Sequence, residues 1–397
     1  MGYDFETLVS RKKQGSEKWD QMYEWNPNVS EDVVPLSVAD MEFKNAPEII
    51  EGLKEYLDEV ILGYAGPYPE YHEAVISWMK RRHNYDIEKD WIVTTPGVVN
   101  AFYAAVNAFT KEDDGVIIFR PVYYPFTNAI YANNRKLVNC PLIKTDGYYT
   151  IDFDKFEELA RDPKNKLLIF CNPHNPVGRV WTRDELEKVG NICLENDIVL
   201  VSDEIWNDLI MPGYKHIMMG SISEEIENIT ITCTAPSKTF NLAGLATSNI
   251  IVKNEEMRSV YLEALAAMRS RMVNILGYKA CELAYTKSEK WLDELIPVID
   301  RNQRMVKDFF DERHPEIKAY LSEGTYLQWV DFSGLGLSNE ELEEFMHMEA
   351  QFFTDEGYIF GEEGNGYERI NLAAPTWVIK RELERLDKAL VKLKENK

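Results

Sequence analysis

The chain has 397 residues, of which 45% are hydrophobic and 12% aromatic. It can bury a large core and is too long for one compact unit, so two or more domains are expected. Acidic residues outnumber basic ones 67 to 44, giving a formal charge of −23, which argues against nucleic acid and anionic membrane, since both need a positive face.

The first 45 or so residues read as irregular, with aromatic anchors at Trp19, Tyr23 and Trp25, and they end at Val38-Ala39-Asp40-Met41-Glu42-Phe43. Pro47 opens an amphipathic helix to about Val60, and a Gly/Pro/Tyr-rich loop, Leu62 to Pro67, leads to a second helix over Pro69 to His83. From Trp91 the pattern becomes an alternation of strands and helices. Trp91 to Thr95 is a short strand, Thr95-Pro96-Gly97 a turn, and Val98 to Phe109 an apolar helix. Further short apolar runs follow at 116–119, 166–171, 198–202, 229–233 and 249–252. Helices lie between them, one starting at Thr182 with Glu185 in capping-box spacing. Continuous β-branched runs separated by helices predict an α/β protein with a mainly parallel sheet covered on both faces.

Past about residue 254 the chain turns helical. A long helix is predicted over Ser288 to Arg313, with Pro297 as a kink or break. A strand at 325–331, a helix at 339–353, a strand at 368–372 and a helix at 376–395 complete a smaller α+β region. The expected division is 1–45 as an N-terminal segment packing with the small domain, 46–287 as the large domain and 288–397 as the small C-terminal domain.

Cys140, Cys171, Cys193, Cys233 and Cys281 are scattered and odd in number, with no CxxC pair. They read as reduced thiols of a cytoplasmic protein, with neither a disulfide framework nor a metal site. The N-terminus has no apolar h-region and no stretch approaches a membrane span.

Four short stretches carry chemistry. Thr95-Pro96-Gly97-Val98-Val99 is a strand-to-helix turn whose N–H groups can receive a phosphate. Cys171-Asn172-Pro173-His174-Asn175-Pro176-Val177-Gly178 is a rigid turn after a strand, from which Asn175 can hold a polar ligand atom. Ser202-Asp203-Glu204-Ile205-Trp206 follows four apolar residues and places a carboxylate at a strand end, although Asp203 could equally be a helix cap. Thr234-Ala235-Pro236-Ser237-Lys238-Thr239-Phe240-Asn241 sets a lysine among small residues just past another strand. Read alone, Lys238 is one more surface lysine. Together the four supply an amine, a carboxylate, an amide and an anion cradle along one sheet edge, the kit an aldehyde cofactor with a phosphate and a ring nitrogen requires.

Asn-Pro-x-Asn-Pro-x-Gly, Ser-Asp-Glu-Ile and Ser-Lys-Thr-Phe-Asn, in this order, resemble the fold-type-I pyridoxal-phosphate enzymes of aminotransferase class I/II. Val38 to Phe43, Gly178-Arg179-Val180-Trp181-Thr182 and Gly361-Glu362-Glu363-Gly364-Asn365-Gly366 are more narrowly similar to the MalY/PatB branch of cystathionine β-lyases and related C–S lyases. The resemblance implies the aspartate aminotransferase fold, with a seven-stranded large-domain sheet and a smaller α+β domain. It implies pyridoxal 5'-phosphate held by Lys238 as a Schiff base, with Lys238 also moving the substrate Cα proton. Asp203 would pair with the ring nitrogen, Asn175 with the ring's 3-oxygen, and Tyr123 would stack on the ring. Gly97 and Val98 would give N–H groups to the phosphate, and Tyr64 would reach the phosphate of a neighbouring subunit in a homodimer. Arg369 would clamp the substrate carboxylate, and Asp40 would lie in the substrate site with Asn175.

The departures are specific. Trp206 stands where a tyrosine usually assists the 3-oxygen, Ala235 where a phosphate-binding serine is common, and Ala246 where an arginine often follows. Ser237 or Thr234 would then help hold the phosphate. The implied reaction is α,β-elimination of L-cystathionine or a related cysteine thioether to thiol, pyruvate and ammonia. The main alternative is an aminotransferase using the same residues, for which Arg269 and Arg271 are candidate ligands of a distal carboxylate. A non-catalytic ligand sensor would be expected to lack the lysine or the aspartate, and a nucleotide-binding Rossmann protein would need a GxGxxG after an early strand.

Overall fold

The computed structural model describes residues 2–395. Seven strands form the main sheet, in the spatial order Ile92–Thr95, Ser248–Ile251, Thr230–Thr234, Val199–Asp203, Asn165–Cys171, Gly115–Ile118 and Lys136–Asn139. The last five of these pair in parallel, while Ser248–Ile251 runs antiparallel to both of its neighbours. Side-chain alternation explains why helices cover both faces. Val116, Ile118, Leu167 and Ile169 enter one core with helices Val98–Phe109 and Glu255–Ala267, whereas Ile117, Leu168 and Phe170 enter another with Phe153–Ala160 and Arg183–Glu195. The Lys136–Asn139 strand gives no apolar run in the sequence, because as an edge strand it is half-buried and begins with a lysine.

The capping box at Thr182 and Glu185 is formed. Glu289–Arg313 is one continuous helix through Pro297, whose ring lies on the exposed face. There the carbonyl that has lost its N–H donor can bond to water, so the proline does not end the helix. The expected helix over 339–353 is shorter: Asn339–Glu344 is α-helical, Phe345–Ala350 is a π-helical turn, and Gln351 at φ 48° ends it. Phe352 and Phe353 turn into the core instead.

A second, antiparallel sheet has the order Lys318–Ala319, Leu327–Asp331, Tyr367–Asn371, Asp355–Glu356. The N-terminal segment is sewn to this region by backbone bonds. The Leu36 N–H donates to the Phe353 carbonyl at 2.7 Å and the Asn371 N–H to the Leu36 carbonyl at 2.8 Å. That brings Val38 to Asp40 beside the C-terminal ends of the main parallel strands, next to Lys238.

Candidate active site

A cavity of about 240 Å³ lies at that sheet edge, lined among others by Val98, Tyr123, Asn175, Asp203, Ser237 and Lys238. Each polar member is delivered by a strand end or the turn after it. Asp203 ends Val199–Asp203 and Lys238 sits in the helical turn Pro236–Thr239 after Thr230–Thr234. Asn175 follows Asn165–Cys171 in a turn closed by His174 and Arg179. Gly178 in that turn has φ 73°, and a Cβ there would meet Ser322 at 2.6 Å. Only glycine fits.

Lys238 is buried, and its Nζ donates to the Ala39 carbonyl at 2.8 Å while lying 5.7 Å from the Trp206 ring. Burial, helped by the Arg369 charge, lowers its pKa to about 8. Asp203 is 2% exposed. Burial raises its carboxyl to about 7, with only the Ile205 N–H at 3.3 Å as a hydrogen-bond donor. It caps no regular helix, so the alternative of a structural N-cap does not hold. The neighbouring Glu204 turns away from the cavity and bonds Ser202, His216 and the Met219 N–H.

Arg369 is buried in the Tyr367–Asn371 strand and is held on two sides. Asn175 Oδ1 accepts from Nη1 at 3.0 Å, and Asp355 Oδ2 accepts from Nη2 at 2.6 Å and Nε at 3.1 Å. The guanidinium also packs 4.7 Å from the Phe360 ring. With Oδ1 so engaged, Asn175 has its Nδ2 donor left for a ligand. Tyr123 is half-buried, set edge-on to Phe126, and burial pushes its phenol above the usual range. Trp206 packs edge-to-face on Tyr326 at 4.8 Å.

Several expectations need correction. Asp40 is not free to meet a substrate, because its carboxylate bonds Arg11 at 2.8 Å and Lys18 at 2.9 Å. Burial alone would raise that carboxyl, but the two cations outweigh it and hold it at about 2. What the segment presents to the site is the Ala39 carbonyl. Gly97 has φ 96° and its N–H is spent on the Thr95 carbonyl at 2.8 Å, which leaves the unpaired first N–H groups of the Val98–Phe109 helix as anion donors. Thr234 donates to the Asn249 carbonyl and does not line the cavity, whereas Ser237 and Thr247 do. Ala235 is buried and Ala246, at φ 41°, borders the cavity where no cation replaces it. Arg269 and Arg271 are exposed and lie between helices rather than on one. Tyr64 is 99% exposed and touches nothing at the site within one chain.

Asp355 and Thr247 were not singled out by sequence. Asp355 belongs to a two-residue strand, and only its pairing opposite Arg369 reveals it. Pyridoxal phosphate fits this donor set: a neutralisable amine, a buried carboxylate short of donors, a free amide N–H, an aromatic wall and a helix N-terminus.

Residues 31–386 match the family of aminotransferase class I and II, to which the chain belongs. It is 38% identical over 387 residues to cystathionine beta-lyase PatB of Bacillus subtilis (strain 168), spanning 98% of this chain and 100% of that protein. The crystal structure of cystalysin from Treponema denticola, which contains a pyridoxal 5'-phosphate cofactor, superposes with a TM-score of 0.98 at 59% identity, covering 99% of this chain and 100% of that one. The pyridoxal-phosphate-bound C–S lyase of Staphylococcus hominis gives 0.91 at 32% identity, covering 98% and 99%.

Proposed function

We propose that this protein is a pyridoxal-phosphate-dependent carbon–sulfur β-lyase that cleaves L-cystathionine or a related cysteine thioether. The observation carrying the proposal is that Lys238 and Asp203, both buried and both shifted toward neutrality, face one cavity beside Arg369. When bound, pyridoxal phosphate supplies an aldehyde that joins an amine and a ring that takes up the electrons left when the Cα–H bond breaks.

The chain's own residues do the rest. Arg369 binds the substrate α-carboxylate with the N–H groups that Asp355 and Asn175 leave unused. Lys238 would hold the cofactor aldehyde until the substrate amine takes its place, and its freed amine would then remove the Cα proton. A pKa near 8 keeps a useful share of its amine neutral at neutral pH. Asp203 would pair with the protonated ring nitrogen, Asn175 would donate to the 3-oxygen, and Tyr123 would pack on the ring. Val98 and Val99 N–H groups with the Ser237 and Thr247 hydroxyls, which line the cavity, would hold the phosphate. Trp206 closes the wall below Lys238 and cannot shuttle a proton as a phenol can. The Cβ–S bond then breaks, sulfur leaves as thiolate, and hydrolysis of the remainder gives pyruvate and ammonia.

The reading includes a homodimer. Ile61 at 88% exposure, Leu62 at 66% and Met272 at 70% are apolar groups that a second copy would cover, together with Tyr64, which would then reach the neighbouring phosphate. Five buried free cysteines suit a cytoplasmic location, and among the described residues no helix is long and apolar enough to cross a membrane.

The aminotransferase alternative uses the same lysine and aspartate. A dicarboxylate-specific version of it finds no support, because Arg269 and Arg271 do not line the cavity. The test is incubation of the purified protein with pyridoxal phosphate and L-cystathionine, without a keto acid. Sustained release of pyruvate and thiol is expected; turnover that requires an added keto acid and yields a new amino acid would overturn the proposal.

A further inference from the structure

A second cluster lies on the outer edge of the small sheet. Glu343 lies in the last turn of the Asn339–Glu344 helix, His347 sits four residues on in the π-helical turn, and Glu356 lies in the edge strand. One ligand atom from each of the three lies within 4.8 Å of the others. His347 Nε2 is 3.2 Å from Glu356 Oε1, with His347 buried and Glu356 nearly so. The imidazole ring lies nearly parallel to Trp25, at 4.6 Å and 9°, and to Phe353, at 5.3 Å and 14°. These contacts restrict the tilt of the ring.

A fourth group, a carboxyl, stands beside these three. Glu368 is 2% exposed and stands directly opposite Glu356 on the antiparallel strand. Like charges so placed destabilise a sheet. The Thr354 hydroxyl donates to Glu368 Oε2 at 2.6 Å. Among the described residues, no lysine or arginine pairs with Glu343, Glu356 or Glu368. Glu343 in turn is oriented by the Tyr358 hydroxyl at 2.9 Å. Carboxylates steered by hydroxyl donors around an imidazole have the make-up of a metal site with its supporting shell.

We propose that Glu343, His347 and Glu356, backed by Glu368, bind one divalent cation of the Zn²⁺ or Mn²⁺ kind. One imidazole with carboxylates suits such ions better than Mg²⁺, which favours all-oxygen octahedra with several waters. The site is on the far face of the strands from the cavity. Asp355 and Arg369 are the immediate chain neighbours of Glu356 and Glu368 and pair with each other. A bound ion would thus brace, from behind, the strand pair that presents Arg369.

The experiment is calorimetric titration of the chelator-stripped, cofactor-loaded full chain with ZnCl₂, MnCl₂ and MgCl₂ separately. One equivalent of Zn²⁺ or Mn²⁺ should bind saturably, and Mg²⁺ should not. His347→Phe keeps the aromatic stack and Glu343→Gln changes a half-exposed side chain, so both variants should fold, which a thermal melt verifies. Each should weaken binding by about tenfold or more. The proposal is overturned if no saturable binding occurs, if Mg²⁺ alone binds, or if both folded variants bind as the parent does.

Discussion

At the scale of single residues, the site depends on groups that burial has moved toward neutrality. Lys238→Ala should remove the cofactor's visible absorbance as bound to lysine and lower turnover by at least about 10²–10⁴-fold, the range general for a lost acid–base group; an unchanged spectrum would take the assigned role away from Lys238. Asp203 gives a pH signature in the cofactor-free protein. Its folded pKa of about 7 lies above its ordinary 3.8, so its contribution to stability is full below about pH 4 and is lost as pH rises toward 7. The change is on the order of 4 kcal/mol. Asp203→Asn should flatten that stretch of the profile, measured by urea unfolding from pH 4 to 8. Asp355 touches Arg369 and not the cavity, so it acts by positioning. Asp355→Asn should raise KM by about 10-fold with kcat largely kept, since a charge-assisted pair holding the carboxylate ligand is weakened.

At the scale of elements, the active site is a set of strand ends and helix starts brought into register by the parallel sheet. The Thr95–Val98 turn shows how backbone geometry decides function. Gly97 combines φ 96° with ψ 154°, a conformation almost confined to glycine, and a Cβ there would meet nothing within 4 Å. Gly97→Ala therefore tests strain alone. It should lower stability by about 1–3 kcal/mol and weaken cofactor binding, seen as a lower Tm and a raised Kd for pyridoxal phosphate. Most of these elements were legible in the sequence, because β-branched runs and capping signals such as Thr182 with Glu185 are local. The exceptions, Lys136–Asn139 and the helix ending at Ala350, are places where edge position or packing of Phe352 and Phe353 outweighs local pattern.

At the scale of the whole molecule, the N-terminal segment crosses to the small sheet and presents Ala39 to Lys238, while Tyr64 projects into solvent. Tyr64→Ala should leave the melting temperature of the cofactor-free chain nearly unchanged, since nothing in its own chain packs on it. It should weaken cofactor binding if a second copy is present, and sedimentation of the parent protein should show a dimer. A monomer with full activity would remove the shared-site reading. What the sequence by itself determined was the class of fold and the placing of Lys238, Asp203 and Asn175 at strand ends, because each is embedded in a short run whose chemistry and placement are read together; Arg369 came only from the family resemblance. Only the tertiary structure decided that Asp40 is neutralised by Arg11 and Lys18, that Asp355 holds Arg369, and that Glu343, His347, Glu356 and Glu368 meet. Those facts depend on which way side chains point and on strand register between distant segments, and neither leaves a local trace in the order of residues.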